Sequence, residues 1–282
     1  MRILLLVAVL SQAGTLPPVR DPAFARDGRL AVSVEGDLWI RDAAGRRWSR
    51  LTSGPAWDRQ PAWSADGGHL VYASDRDGNV DLWRIRTSGD ASERLTSDPA
   101  ADAEPSVAGD GSVVFVRGRG PAARLWIRAA DGAERRLTRG QTPERWPSVS
   151  PSGNRLAYVQ LGDAGRRLLI RPLGGEGRAP ASAPDGGQGG RGAGRGAGEG
   201  GTDSVVVADR APERPTWSPD GSRLAFYSAT PRAAIYVASI GGAYVNLVTT
   251  RRGVPAWSPD GRTILVGERA PDEVGYNGDP DR

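Results

Sequence analysis

The chain has 282 residues and a net charge of +4, and 38% of its residues are hydrophobic, which is typical of a globular protein. Its 39 glycines and 22 prolines exclude long helices and predict many turns. The chain has no cysteine and one histidine, His69, which excludes disulfides, thiolate nucleophiles and multi-histidine metal sites. Composition therefore predicts a turn-rich β protein that is not an enzyme and binds neither metal nor cofactor.

The first 13 residues have the order of a secretory signal peptide. Arg2 supplies positive charge, residues 3–10 are all apolar, and small residues stand at positions −3 and −1 of a cleavage site after Ala13. The apolar run is too short to span a bilayer, which needs about 20 residues. We predict a periplasmic or secreted protein without membrane insertion. The alternative is that this segment forms a buried first strand.

One phrase recurs six times after this segment and predicts a repeat architecture. Each copy has a proline, an apolar residue, a turn similar to Ser-Pro-Asp-Gly and a strand of alternating apolar residues. The turn glycines are spaced by 39 to 44 residues, except for one interval of 68, and they are Gly28, Gly67, Gly111, Gly153, Gly221 and Gly261. Two later phrases, an apolar-aromatic pair such as Leu82-Trp83 and a Leu-Thr pair such as Leu95-Thr96, keep the same period.

Each repeat predicts four antiparallel strands, which is the size of one propeller blade. Six copies predict an all-β fold, a six-bladed β-propeller of four-stranded antiparallel blades over residues 14–282. A solenoid or a β-sandwich fits the period less well. Only 16 residues follow Val266, so we expect the last blade to be incomplete. We expect the chain either to be the front part of a longer product or to be closed by a partner or a second copy.

The long interval contains an insertion between the third and fourth strands of the fourth repeat. Residues 174–201 include 13 glycines and almost no bulky apolar side chain, so we predict a disordered loop. The alternative is a nucleic-acid-binding arm. Because the charges of this segment balance and no aromatic residue is interleaved for stacking, we predict no nucleic-acid partner.

The repeated "PAWSPDG" followed by "LW" and "RLT" resembles the repeat of the TolB-like β-propeller family. Similar repeats form the propellers attached to prolyl-oligopeptidase-type peptidases and to some amidohydrolases. The resemblance covers residues 21–266 and implies a periplasmic six-bladed propeller that binds another protein or controls access to an attached catalytic domain. The family's TolB carries an α/β domain before its propeller, whereas here the first repeat begins soon after the predicted signal peptide.

Two features that could suggest chemistry are interpreted as structural. Asp75, Asp77, Asn79 and Asp81 alternate as in a calcium loop, but the glycine and the distal glutamate of an EF-hand are not in register, which favours a hairpin turn. His69 occupies a strand-start position that is Arg29, Arg155, Arg223 or Thr263 in other repeats. We interpret this position as solvated rather than catalytic.

Segments just before the innermost strands are the best candidates for a binding site, because in a propeller they converge on the mouth of the central channel. We predict a mixed-charge ring that binds a protein or peptide partner; its residues are Asp58, Arg59, Gln60, Asp102, Glu104, Glu144, Arg145, Glu213, Arg214 and Arg252. The alternative for the ring is ordinary solvated loop charge. The alternative for the whole chain is the N-terminal propeller portion of a larger hydrolase whose catalytic domain lies beyond residue 282.

Overall fold

The computed structural model describes residues 2–4, 19–173, 203–241 and 244–268. Their strands form five four-stranded sheets and one three-stranded sheet. In each four-stranded sheet the strands follow one another in sequence order, and every neighbouring pair is antiparallel. The prediction of an all-β propeller with four-stranded antiparallel blades is therefore confirmed.

The strand bounds follow the sequence phrases. Blade one contains β2 (Val19–Phe24), β3 (Leu30–Val34), β4 (Asp37–Arg41) and β5 (Trp48–Arg50). Blade two contains β6 (Arg59–Trp63), β7 (His69–Ser74), β8 (Asp81–Arg86) and β9 (Glu93–Arg94). Blade three contains β10 (Asp102–Val107), β11 (Val113–Arg117), β12 (Arg124–Arg128) and β13 (Glu134–Arg136), with a short 3-10 helix over Gly120–Ala122.

Blades four and five complete the four-stranded set. Blade four contains β14 (Glu144–Val149), β15 (Arg155–Gly162), β16 (Gly165–Pro172) and β17 (Ser204–Val207). Blade five contains β18 (Pro212–Trp217), β19 (Arg223–Ser228), β20 (Ala234–Ser239) and β21 (Val245–Thr249). The predicted loop at 174–201 lies outside the described residues, and its position between β16 and β17 is that of a third-to-fourth strand connection.

The last sheet, which we call the partial sheet, differs from the five blades. It contains β22 (Val254–Trp257), β23 (Thr263–Gly267) and β1 (Arg2–Leu4). β22 and β23 are antiparallel, whereas β1 pairs with β23 in parallel. The structure therefore has five blades and a partial sheet where we predicted six blades, the last of them incomplete, and no described segment after β23 forms a hairpin with it.

The innermost strands form a closed ring. Contacts run in the order β2, β6, β10, β14, β18 and β22, and β22 contacts β2 again. At this last junction the backbone N–H of Glu268 donates to the carbonyl oxygen of Val19 at 2.8 Å. Gly267 lies so close to Pro22 that an added Cβ would be 2.5 Å from the proline Cδ. The partial sheet thus joins blade five to blade one.

The core lies between successive sheets, since each blade buries both faces against its neighbours. Tyr72 and Leu70 of blade two pack with Leu38 of blade one, for example, and Phe226 of blade five packs with Leu168 of blade four. These side chains are no more than 1% exposed. Among the described residues, none lies in a helix long and apolar enough to cross a membrane.

The strand-start position that we interpreted as solvated forms contacts between sheets. At three junctions an arginine in this position lies over a tryptophan of the next sheet. Arg29 of blade one lies 4.8 Å from the ring centroid of Trp63 in blade two, and its Nη2 donates to the Gly67 carbonyl at 2.7 Å. Trp63 in turn donates its indole N–H to the carbonyl of Ala23 at 2.8 Å. The strand-start position is therefore a half-buried junction in such blades and not simply solvated.

Candidate functional site

A strained backbone position lies at the same place in every complete blade. The residue directly before the proline of each innermost strand has φ between 48° and 57°, and these residues are Asp21, Gln60, Glu104, Trp146 and Arg214. The strand pairing shifts register at the same point, as in a β-bulge. Positive φ is unfavourable for residues with a Cβ and is concentrated at functional sites. The equivalent Val254 of the partial sheet lies in regular pairing.

These residues and their prolines line one cavity of about 150 Å³ where the six innermost strands meet. The lining consists of Asp21-Pro22, Gln60-Pro61, Glu104-Pro105, Trp146-Pro147, Arg214-Pro215, Thr216 and Val254-Pro255. All six sheets therefore contribute one dipeptide each. We call the side of the propeller on which this cavity lies the mouth face; it also carries the loops that precede the innermost strands.

A hydrogen-bond relay connects the lining residues of blades one to four. The backbone N–H of Gln60 donates to Asp21 Oδ2 at 3.2 Å, and that of Glu104 donates to Gln60 Oε1 at 2.9 Å. The N–H of Trp146 donates to Glu104 Oε2 at 2.7 Å. In blades two, three and four, each bulge thus satisfies its displaced backbone donor with the side chain of the preceding blade. The relay ends at Trp146, because an indole ring has no acceptor.

Two ion pairs give the cavity its mixed charge. Arg145 donates from Nε to Glu104 Oε1 at 2.8 Å, and a second nitrogen of the same guanidinium also contacts that oxygen. Arg214 Nη1 lies 3.4 Å from Asp21 Oδ1 and so connects blade five directly to blade one. The Arg214–Asp21 pair does not involve the partial sheet, which lies between these two blades in the ring and whose own lining residue, Val254, is uncharged. One side of the cavity is therefore polar and the other presents an aliphatic side chain.

Four of the predicted ring carboxylates lie deepest beneath the mouth face. Asp58, Asp102, Glu144 and Glu213 are at most 2% exposed, whereas Glu104 is 6% exposed and lines the cavity. Asp58 pairs with Arg76 at 3.0 Å, Asp102 with Arg117 at 2.7 Å, and Glu213 with Arg166, while Glu144 accepts a hydrogen bond from Thr138. These four residues therefore hold the loops of the mouth face from inside rather than facing solvent.

Burial changes the ionisation of two of these carboxylates. Desolvation raises the pKa of Asp102, although its hydrogen bonds and charge pairing with Arg117 act in the opposite direction. Desolvation likewise raises the pKa of Glu144, against the hydrogen bond from Thr138. Both shifts are a consequence of moving a charge out of water.

The other six predicted residues lie at the cavity or around it. Gln60, Glu104 and Arg214 line the cavity, and Arg145 pairs with Glu104 next to it. Arg59 is half-buried and Arg252 is exposed in the loop before β22. The structure thus brings together three of the ten residues as cavity lining.

Three residues at the mouth face escaped the sequence analysis. Asp21 and Trp146 occupy the same position before proline as Gln60, Glu104 and Arg214, so strict alignment of the repeats on that proline finds them. Trp57, in the loop before β6, is 48% exposed, and its backbone N–H donates to Asp75 Oδ1 at 2.8 Å. No repeat pattern marks Trp57.

Trp146 combines several unusual features. It has positive φ despite a bulky side chain, and the guanidinium groups of Arg145 and Arg166 lie 5.2 and 5.7 Å from its ring centroid. Its indole N–H is buried and has no hydrogen-bond partner in the described part of the chain. An unpaired buried donor costs free energy, so the indole ring is held in place by packing against its neighbours, whereas the backbone N–H of Trp146 is bound to Glu104.

The residues that superficially resemble a calcium loop make internal contacts. Asp77 and Asp81 both pair with Arg94, at 3.2 and 2.6 Å. The Asn79 side-chain amide donates to the Asp98 carbonyl at 2.9 Å. Within the described ranges, no group of three or more histidine or acidic side chains is arranged to hold a metal ion. These contacts stabilise the hairpin between β7 and β8.

The side opposite the mouth face carries the turns that follow the innermost strands. Arg26, in the turn of blade one, donates from Nη2 to the carbonyl of Pro151 at 2.9 Å. Pro151 belongs to blade four, three places away around the ring. The contact therefore crosses the propeller axis on that side.

Comparisons with known proteins agree with this geometry. The family model of the TolB beta propeller domain matches residues 17–189. No curated protein matches the chain. Among solved structures, putative TolB from Agrobacterium tumefaciens superposes with a TM-score of 0.69 at 18% identity, over 91% of this chain and 92% of that one.

Two further solved structures are longer than this chain. TolB from Acinetobacter baumannii has a TM-score of 0.67 at 17% identity, over 87% of this chain but 59% of that one. A puromycin-hydrolyzing peptidase from Mycobacterium tuberculosis has a TM-score of 0.55 at 18% identity, over 86% of this chain and 40% of that one. At these identities the superpositions show a shared fold. Since the family model covers more than half of the sequence, the chain belongs to the TolB beta propeller domain family.

Proposed function

We propose that this chain is a non-catalytic, exported binding module that takes a protein or peptide segment at the mouth face. The observation that carries the proposal is the cavity in which all six sheets place an X-Pro dipeptide, five of them with a strained residue X. Strain of this kind persists only where the surroundings enforce it. Here the relay and the two ion pairs enforce it, so the cavity is a pre-organised recess with fixed polar groups.

We expect the partner to contact residues that line the cavity or lie on the surface around it. Asp21, Gln60, Glu104 and Arg214 supply polar groups inside the recess, and Trp57 and Arg252 supply an aromatic and a cationic group at the surface. The buried carboxylates Asp58, Asp102, Glu144 and Glu213 support the loops. Tryptophan and arginine are enriched among residues that dominate binding energy, which favours Trp57 as an anchor.

The partial sheet acts as the sixth wedge of the ring in this proposal. It contacts both β18 and β2 and adds Val254 and Pro255 to the recess. Export rests on the charged, apolar and small-residue order of residues 1–13. Family membership supports a periplasmic location, as the resemblance implies.

Affinity capture from a periplasmic extract tests the proposal. Trp57→Ala and Arg252→Glu alter exposed residues, so both variants should fold, and Trp57→Ala should weaken capture of the main partner by about tenfold or more. Leu247→Ala is the matched control, because Leu247 is 46% exposed on outer strand β21. Equal capture by all three variants would contradict binding at the mouth face.

A second candidate is the propeller portion of a larger hydrolase. The similarity to the peptidase from Mycobacterium tuberculosis, of which this chain covers 40%, favours it. Sequencing the gene beyond the codon for Arg282 separates the two proposals. An open frame with catalytic motifs supports the hydrolase, and a stop codon supports the binding module.

A further inference from the structure

The outer edge of β23 is occupied by a strand from a distant part of the chain. Arg2, Ile3 and Leu4 pair in parallel with Thr263, Ile264 and Leu265. In the five blades, the equivalent edge belongs to the next strand of the same hairpin and is antiparallel. This edge therefore accepts an extended strand that no short turn tethers to it.

Both faces of β23 are buried. A strand that pairs with its edge should therefore carry apolar side chains on both faces. Ile264 and Val266 belong to the cluster shared with blade five, whereas Leu265 belongs to the cluster shared with blade one. All three are at most 7% exposed. Strands buried on both faces are continuous apolar runs rather than alternating ones. Residues 3–6 of this chain, Ile-Leu-Leu-Leu, are such a run.

We propose that the edge of β23 is a strand-addition site for an extended, predominantly apolar segment of a partner protein. The proposal rests on the export part of the proposed function, because cleavage after Ala13 removes Arg2–Leu4. Among residues 19–173, 203–241 and 244–268, no other strand pairs with this edge, so the removal of Arg2–Leu4 presents backbone donors and acceptors along β23 as a template for another strand. Backbone hydrogen bonds give the added strand affinity, and apolar side chains on both faces give it specificity. Arg2–Leu4 shows the orientation, parallel to β23.

The test compares two forms of the protein, residues 1–282 and residues 14–282. The probe is a fluorescent peptide with the sequence MRILLL, and the control peptide carries N-methyl groups on the amides of its third and fourth residues. The peptide should bind the 14–282 form saturably and raise its melting temperature. It should not bind the full chain, whose edge is filled. N-methylation, which removes backbone donors but keeps every side chain, should weaken binding by about tenfold.

Each other outcome has a defined meaning. If the 14–282 form folds only with the peptide, the site is supported. If it folds but ignores the peptide, binds both peptides equally, or pairs with a second copy instead, the proposal is wrong. Failure to fold even with the peptide also overturns it. Trp57→Ala should leave peptide binding unchanged, so failure of this site and failure of partner capture at the mouth face are distinguishable.

Discussion

Arg155 lies over the indole ring of Trp217, with its guanidinium carbon 4.9 Å from the ring centroid, and its Nη2 donates to the carbonyl of Gly221 at 3.0 Å. Trp217 donates its own N–H to the carbonyl of Ser148 at 2.8 Å. Three contacts thus hold blade four to blade five. Arg223 and Trp257 repeat the stacking between blade five and the partial sheet, at 4.8 Å.

Loss of the contact between Arg155 and Trp217 should lower the stability of the folded protein. Arg155→Ala should lower the free energy of unfolding by about 1–2 kcal/mol, because it removes a partly buried cation–π contact and a hydrogen bond. Urea unfolding measures the change. Arg86→Ala is the control, since the Arg86 side chain is 79% exposed, and it should be neutral within about 0.5 kcal/mol. Equal losses in the two variants would contradict the role of the junction.

Glu104 should be the most sensitive residue of the relay. Glu104→Ala removes the acceptor for the backbone N–H of Trp146 and breaks the ion pair between Glu104 and Arg145, so it should cost about 3 kcal/mol. Glu104→Gln keeps an acceptor oxygen and should cost about 1 kcal/mol. Urea unfolding of both variants checks the order. An identical loss would mean that the negative charge of Glu104, rather than its hydrogen-bond acceptor, determines the effect.

Ring closure should depend on the lack of a side chain at position 267. Gly267→Ala places a Cβ within 2.5 Å of Pro22 Cδ, and overpacking of this kind costs about 1–3 kcal/mol. Gly109→Ala is the matched control, because nothing lies within 4 Å of a Cβ there and its φ is not positive. Differential scanning calorimetry should find a lower melting temperature only for Gly267→Ala.

Glu144 should make stability depend on pH. Burial raises the pKa of Glu144 above its ordinary value of 4.5, so the folded protein retains this proton to a higher pH than the unfolded chain. The stability contribution is fully present below pH 4.5 and is lost as pH rises through the raised pKa. Glu144→Gln should therefore be more stable than the parent at pH 7, with the difference vanishing in acid. Glu93→Gln, at a 58% exposed side chain, should have no such effect; a pH-independent difference for Glu144→Gln would contradict the assignment.

The spacing of the repeats predicted the strands well, because the turn residues recur at nearly the same positions within each repeat. The apolar-aromatic pairs at Leu38-Trp39, Leu82-Trp83 and Leu125-Trp126 lie in β4, β8 and β12 as expected. The apolar residues that follow each turn also located strands such as β7 and β19, although both strands are buried on both faces rather than on one. These features depend on local sequence, which a single chain contains in full.

Burial of the mouth-face carboxylates could not be predicted in the same way. Asp58 is paired with Arg76 in a turn, Asp102 with Arg117 at the end of a strand, and Glu213 with Arg166 in the preceding blade. Each partner comes from a different place in its repeat, so no common spacing reveals the pairs. The parallel pairing of β1 with β23 could not be predicted from the sequence either, because it joins segments about 260 residues apart without a turn.

The contact between Arg26 and Pro151 limits how a partner can occupy the propeller. A chain cannot thread from the mouth face to the opposite side without breaking this bond across the axis. An occupant that stops short of this contact leaves the bond intact. We therefore expect the occupant to be a protruding loop, a terminus or one large side chain rather than a polypeptide that passes along the axis.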